Sequence, residues 1–243
     1  RGRIRSRRLE EIIAETERLV GLGYKEIVLT GIHLSSYGID FPENEKEDLL
    51  GLMTRLDKIQ ELKRMRLGSL EPRIITEDFA KALSNLRTIC PHFHLSLQSG
   101  CNQILKKMNR HYSTEEYEEA CHILRTWFPN PAITTDVIVG FPQETEEEFE
   151  ETLTFAKKIQ FYEMHIFKYS KRAGTKAAIM EGQIEDAVKS LRSERLLQAE
   201  AKMSLEYRRS FLGQRCEILM EEKKRINGIE YLVGHSKEYV KAA

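Results

Sequence analysis

The feature that most constrains this 243-residue chain is an alternation in which a short strand-like run is followed by a helix-period segment, five times over. The runs are residues 26–30, 64–68, 92–97, 133–139 and 164–169, each rich in Val, Ile, Leu, Phe or Thr. The first helix carries an apolar stripe of Leu9, Ile12, Ile13, Thr16, Leu19 and Val20, with Ser6 as its expected cap and Gly21 and Gly23 closing it. Further helices are expected over 48–59, 77–84, 114–127 with Ser113 as cap, and 146–159 with Thr145 as cap. Strand alternating with helix implies a parallel sheet with right-handed crossovers, either open or curved toward a barrel.

Parity along the strands favours the barrel. His92, His94, Ser96 and Gln98 share one face while Phe93, Leu95 and Leu97 share the other. The split recurs with Thr134, Asp136 and Gly140 against Ile133, Val137 and Val139, and with Arg64 and Arg66 against Met65 and Leu67. A doubly wound sheet covered on both faces would show near-continuous apolar strands instead. A polar inner face points to a wet, ligand-holding interior, and in such folds the chemistry sits at the carboxyl ends of the strands. Those ends are polar or glycine-rich: Thr30-Gly31-Ile32-His33, Gly68-Ser69-Leu70-Glu71-Pro72, Gln98-Ser99-Gly100, Gly140-Phe141-Pro142 and Tyr169-Ser170.

After Ser170 the alternation stops. A long helix is expected over 185–210, followed by short strands at 216–220, 231–233 and 239–240 with an Asn227-Gly228 turn. The chain opens on a helix where a βα fold needs a strand, and the small β unit is cut off at Ala243, so the reading is a fragment at both ends. Its parts are a partial parallel βα barrel over 1–211, missing its first strand, and the start of a small β domain over 212–243.

Lys plus Arg and Asp plus Glu both number 38, so no global field argues for nucleic acid. Locally, five arginines fall among the first eight residues, six glutamates over 144–151, and Lys223, Lys224 and Arg225 are contiguous. No apolar run approaches the roughly 20 residues that span a bilayer, and the expected location is cytoplasmic. Cys90, Cys101, Cys121 and Cys216 contain no Cys-x2-Cys or Cys-x3-Cys pair and read as plain thiols. Phosphate-loop, nucleophile-elbow and His-Glu-x-x-His motifs are missing from the sequence.

The strand-end segments EIVLTGIHLSSYG, MRLGSLEPR, PHFHLSLQSGCNQILKKMNRHY, ITTDVIVGFPQETEEEFEET and FKYSKRAGT, in this order over nearly the whole chain, resemble the radical S-adenosylmethionine (SAM) methylthiotransferases. Within that family Ser69-Leu70-Glu71-Pro72 resembles the branch acting on N6-threonylcarbamoyladenosine at tRNA position 37, rather than the Ser-His-Pro or Tyr-Pro branches. The resemblance implies that the intact enzyme makes the 2-methylthio derivative of that base, with S-adenosyl-L-methionine and two 4Fe-4S clusters as cofactors. One cluster is held in the family by Cys-x3-Cys-x2-Cys, which this chain lacks, so the fragment itself is expected to be inactive. The terminal β unit resembles the start of a TRAM module, which helps hold RNA.

Carried over residue by residue, the resemblance implies SAM contacts at Gly31, Gln98, Ser99, Gly100, Asp136, Gly140, Phe167 and Tyr169. Arg1, Arg3, Arg5, Arg7 and Arg8 are candidates for phosphate contact on tRNA, because guanidinium forks match phosphate oxygens. No catalytic side chain, sulfur donor or reductant is identified. Two alternatives stand beside this reading: a non-catalytic RNA-binding protein reusing the fold, and a TIM-barrel metal hydrolase built on His92 and His94. The second is weakened by the position of both histidines at the start of their strand.

Overall fold

The computed structural model describes residues 3–243, so Arg1 lies outside the described residues. In chain order the elements are α1 (Leu9–Gly21), β1 (Glu26–Leu29), α2 (Leu49–Leu56), β2 (Arg64–Leu67), α3 (Glu77–Ser84), β3 (His92–His94), α4 (Asn102–Lys107) and α5 (Thr114–Trp127). They continue with β4 (Ala132–Val139), α6 (Glu146–Ile159), β5 (Glu163–Lys168), α7 (Lys176–Ile179), α8 (Asp186–Arg209), β6 (Leu219–Ile226), β7 (Ile229–His235) and β8 (Lys241–Ala242). The expected succession of parallel strands and helices is present. The chain divides into two compact units: one comprises the chain up to His94 with Ile123–Pro131 and Ile218–Ala243, the other Leu95–His122 with Ala132–Glu217.

In the first unit β1 and β2 run parallel in register from Glu26↔Arg64 to Leu29↔Leu67. The segment entering β3 lies beside β2, where the Met65 N–H donates to the Thr88 carbonyl at 2.7 Å and the Cys90 N–H to the Met65 carbonyl at 2.9 Å. Leu52, Met53, Leu56, Met65, Leu83 and Phe93 are fully buried and form the apolar side. Asp48 caps α2 through the Gly51 N–H (2.8 Å), and Thr76 caps α3 through the Phe79 N–H (3.2 Å). The helix expected to reach residue 59 ends at Leu56, where successive turn bonds from Lys58 and Ile59 close it.

Ser6 is not the cap of α1. Arg8 occupies that position without a side-chain cap bond, while the Ser6 N–H donates to Asp40 Oδ2 and its hydroxyl accepts from the Gly38 N–H, both at 2.9 Å. Gly23 closes the helix as expected, with a φ of 100° that favours glycine.

The C-terminal strands form an antiparallel sheet in the order β6-β7-β8. The Asn227-Gly228 turn has φ values of 49° and 84°, the doubly left-handed pair of a two-residue hairpin. The expected strands here were too short or misplaced. β6 runs on through the charged stretch Glu221–Arg225, whose side chains are exposed on both faces, so no apolar alternation marks it. Tyr239 is in no strand: its φ is 68° and it sits in the turn closed by the Tyr239 N–H to the Ser236 carbonyl.

In the second unit β4 and β5 run parallel from Thr134↔Glu163 to Val139↔Lys168. The backbone from Leu95 to Gln98, expected as strand, bonds β4 by single bridges rather than a continuous ladder: Leu95 N–H to the Thr134 carbonyl, Gln98 N–H to the Asp136 carbonyl and Ile138 N–H to the Gln98 carbonyl. The two N-terminal caps expected in this unit are present as reciprocal boxes, Thr145 with Glu148 on α6 and Ser113 with Glu116 on α5. Tyr117, Phe149, Phe161, Val137 and Val139 are fully buried in this unit's core. Among the described residues, no helix is long and apolar enough to cross a membrane.

Candidate cofactor and substrate site

In the first unit the ends of β1 and β2 are tied together. Gly68 N–H donates to the Leu29 carbonyl at 2.8 Å, and Glu71 N–H to Ser35 Oγ at 3.1 Å. His33 Nε2 lies 3.0 Å from Glu71 Oε1, and His33 Nδ1 bonds Ser36 Oγ. Both side chains of the pair are half-exposed, while their neighbours Leu34, Ser36, Leu70 and Pro72 are buried and pin the two loops. A cavity of about 660 Å³ opens beside β1; its lining is largely aliphatic, with Ile12 and Leu19 of α1 and Ile27 and Val28 of β1, and Thr30, Gly31, His33, Arg3 and Arg5 add polar groups. Gly31 is exposed at its edge. Arg7 and Arg8 are ion-paired with Glu11 and Glu45 respectively, whereas Arg3 and Arg5 are exposed.

The opposite end of β2 is arranged differently. Arg64 and Arg66 are 1% and 3% exposed. Arg66 forks onto both carboxylate oxygens of Glu26 at 2.9 and 3.2 Å, donates to the Lys237 carbonyl at 3.0 Å, and lies 4.7 Å from the centre of the Tyr239 ring. Burial is the largest single influence and opposes its charge, but the Glu26 fork together with the nearby Cys90 and Tyr239 raises its pKa. Arg64 donates to the His235 carbonyl at 2.8 Å. Tyr239 is stacked between His92, at 4.9 Å, and His235, at 4.4 Å. The polar face predicted to line a wet interior is thus, along β2 and at His92, the seat of the C-terminal strands. Burial drives the His92 imidazole down to a pKa of about 3, and its ring stacks on Tyr239.

In the second unit Asp136 and Phe167 share a half-exposed face, since Asp136 pairs with His165 and Ile138 with Phe167 in the ladder. Gln98 does not join Asp136 as alternation predicted: its bridge sets it level with Val137, and its φ of 70° breaks the strand's parity. Ser99 is fully buried with its hydroxyl 3.1 Å from Thr152 Oγ1, and a Cβ on Gly100 would lie 2.8 Å from Phe155 Cβ. Both residues let α6 pack closely against this segment. The ring of Tyr169 packs edge-on against Phe141, and its hydroxyl is buried without a hydrogen-bond partner.

Gly140, with a φ of 71°, donates its N–H to Glu144 Oε2 at 2.7 Å. Arg192 of α8 reaches the same oxygen at 2.7 Å and the Glu144 carbonyl at 3.1 Å, and both side chains are almost fully buried. Burial pushes the Glu144 carboxyl up, against the pull of the Gly140 N–H and of Arg192. The sequence marks both residues, one in a glutamate run and one on the long helix, but not their pairing. The His33–Glu71 pair was likewise visible only as two polar strand ends.

Cys90, Cys101 and Cys121 are buried and Cys216 is exposed. Burial raises the Cys90 thiol to a pKa of about 11.

Comparison with known proteins supports the resemblance. A tRNA-2-methylthio-N(6)-dimethylallyladenosine synthase of Thermoanaerobacter sp. (strain X514) is 45% identical over 221 residues, covering 91% of this chain and 46% of the relative. The threonylcarbamoyladenosine tRNA methylthiotransferase MtaB of Bacillus subtilis (strain 168) is 41% identical over 243 residues, covering 99% of this chain and 53% of the relative. The chain spans about half the length of these curated relatives. Coproporphyrinogen III oxidase from Escherichia coli, a radical SAM enzyme, shares the fold with a TM-score of 0.53 at 16% identity, covering 82% of this chain and 46% of that one. Methylornithine synthase does so with a TM-score of 0.52 at 14% identity, covering 78% and 53%. The model of the Radical SAM superfamily matches residues 1–156, and the chain belongs to that superfamily.

Proposed function

We propose that this chain is the SAM- and tRNA-engaging core of a tRNA methylthiotransferase. In this reading the intact protein adds a 2-methylthio group to N6-threonylcarbamoyladenosine at position 37, in the cytoplasm. The observation that carries it is the co-linear match along 99% of the chain to the Bacillus subtilis enzyme named for that base, with the Ser69–Pro72 element in the form expected of its branch. A dimethylallyladenosine synthase matches at higher identity, 45% against 41%, over slightly less of the chain, so the choice of base is the finer part of the proposal.

Gly31, Asp136, Gly140, Phe167 and Tyr169 are proposed to face SAM, with Gln98, Ser99 and Gly100 acting through the backbone they shape. Residues 212–243, whose hairpin exposes Lys223, Lys224 and Arg225, are proposed as the start of a TRAM-like unit that meets RNA together with Arg3, Arg5, Arg7 and Arg8. Arg1 belongs to the same proposed set. The cluster ligands are not among the four cysteines of this chain, and the chain by itself is proposed to be inactive.

The test is to express the intact protein in cells lacking their own methylthiotransferase for the threonylcarbamoyl base and to digest the tRNA for nucleoside mass spectrometry. The expected product is 2-methylthio-N6-threonylcarbamoyladenosine. Appearance of the dimethylallyl product alone would overturn the choice of base, and appearance of neither would overturn the methylthiotransferase reading.

A further inference from the structure

The geometry points to His33 and Glu71 as the residues that select the N6 substituent of the target adenine, favouring a polar, carboxylate-bearing group over an apolar one. This rests on the tRNA-modifying reading above and names the part of the site that chooses between the two bases for which the relatives are named.

The pair stands at the carboxyl ends of two adjacent parallel strands, where ligands bind in such folds. It is built to hold one geometry. His33 is fixed through both ring nitrogens, by Glu71 at 3.0 Å and by Ser36, and the Glu71 backbone is fixed by Ser35 Oγ at 3.1 Å. Leu70 and Pro72 are buried on either side of Glu71, so Glu71 is the side chain this turn presents outward next to them. It retains a carboxylate oxygen, Oε2, beyond the one that meets His33.

A dimethylallyl group laid over this pair would strip water from a hydrogen-bonded carboxylate and return no hydrogen bond, which is unfavourable. A threonylcarbamoyl group brings ureido N–H and hydroxyl donors that the free carboxylate oxygen accepts. Its own carboxylate would be repelled by Glu71 alone, but His33 also lines the cavity that Arg3 and Arg5 line, and these supply the opposite charge. Sites that hydrogen-bond a substrate group discriminate against analogues lacking it more strongly than apolar pockets discriminate by shape.

The experiment measures binding of the 243-residue chain to anticodon stem-loops carrying threonylcarbamoyladenosine, dimethylallyladenosine or unmodified adenosine at position 37, by fluorescence anisotropy. The chain is expected to bind the threonylcarbamoyl loop about tenfold more tightly than the dimethylallyl loop. Glu71→Leu and His33→Leu should bring that ratio to within about twofold, while Glu71→Gln, which still accepts and donates hydrogen bonds, should keep most of it. Circular dichroism confirms that each variant is folded. If the wild type prefers the threonylcarbamoyl loop and neither leucine variant changes the ratio, the pair does not select and this inference fails while the tRNA reading stands. A wild-type preference for the dimethylallyl loop also overturns the inference. If the three loops bind equally, the chain engages RNA without selecting the substituent and this inference fails while the RNA reading stands; if none binds, the RNA reading fails and takes the inference with it.

Discussion

The two ends of the β1–β2 pair carry side chains of similar polarity and use them in opposite ways. At the strand starts, Arg64, Arg66 and Glu26 are covered by residues 235–239, and nearly every donor is matched to a carbonyl, a carboxylate or a ring. At the strand ends, His33 and Glu71 form one polar pair that remains in contact with solvent beside a cavity. A buried charge network fixes a structure because removing one partner strands the other without water. An exposed pair contributes little to stability and remains available to a ligand. The lesson is that polar parity along a strand identifies a face that needs partners, without saying whether those partners are a ligand or the chain's own backbone.

The contrast can be broken most severely at Arg66. Arg66→Met leaves the Glu26 carboxylate in a largely buried position without its fork, and should cost about 3–5 kcal/mol in urea denaturation. A cost below about 1 kcal/mol would mean that the strand starts are no more committed than the strand ends. Tyr239→Ala removes the ring held between His92 and His235 and should cost about 2 kcal/mol, read from the same denaturation curves.

Acid should act on the same face. The buried His92 ring resists protonation until about pH 3, whereas an unfolded chain's histidine accepts a proton near pH 6.5. Between those values the unfolded state binds the extra proton, so stability present above about pH 6.5 is lost as pH falls, by at most about 1.4 kcal/mol per pH unit from this group. His92→Phe should flatten that part of the stability profile relative to the wild type, and an unchanged slope would show that His92 is not the group responsible. The smallest effect belongs to the strand ends: His33→Ala should change stability by no more than about 0.5 kcal/mol, and the difference should shrink further in high salt.

What was legible in the sequence was local. The boxes at Thr145 and Ser113 close within three residues, and the Asn227-Gly228 turn within two, so each appears where its residues predict it. Ser6 has the same chemistry as those caps but was claimed by Asp40, 34 residues away, and a local rule cannot see that competitor. Gln98 followed the alternation only until its own backbone turned left-handed. The charged strand β6 escaped detection because a hairpin exposed on both faces has no apolar period to read.

The same division holds for the site. The sequence by itself determined the parallel βα succession, the polar strand ends and the superfamily, because spacing, period and motif order are properties of neighbouring residues. The tertiary structure alone decided which polar groups meet. Arg64 found its carbonyl 171 residues along the chain, Glu144 found Arg192 across 48, and His33 found Glu71 in the turn after the next strand. Each partnership is set by desolvation and hydrogen-bond geometry in the packed molecule, where any one of many carboxylates or carbonyls would satisfy the chemistry and only one is within reach.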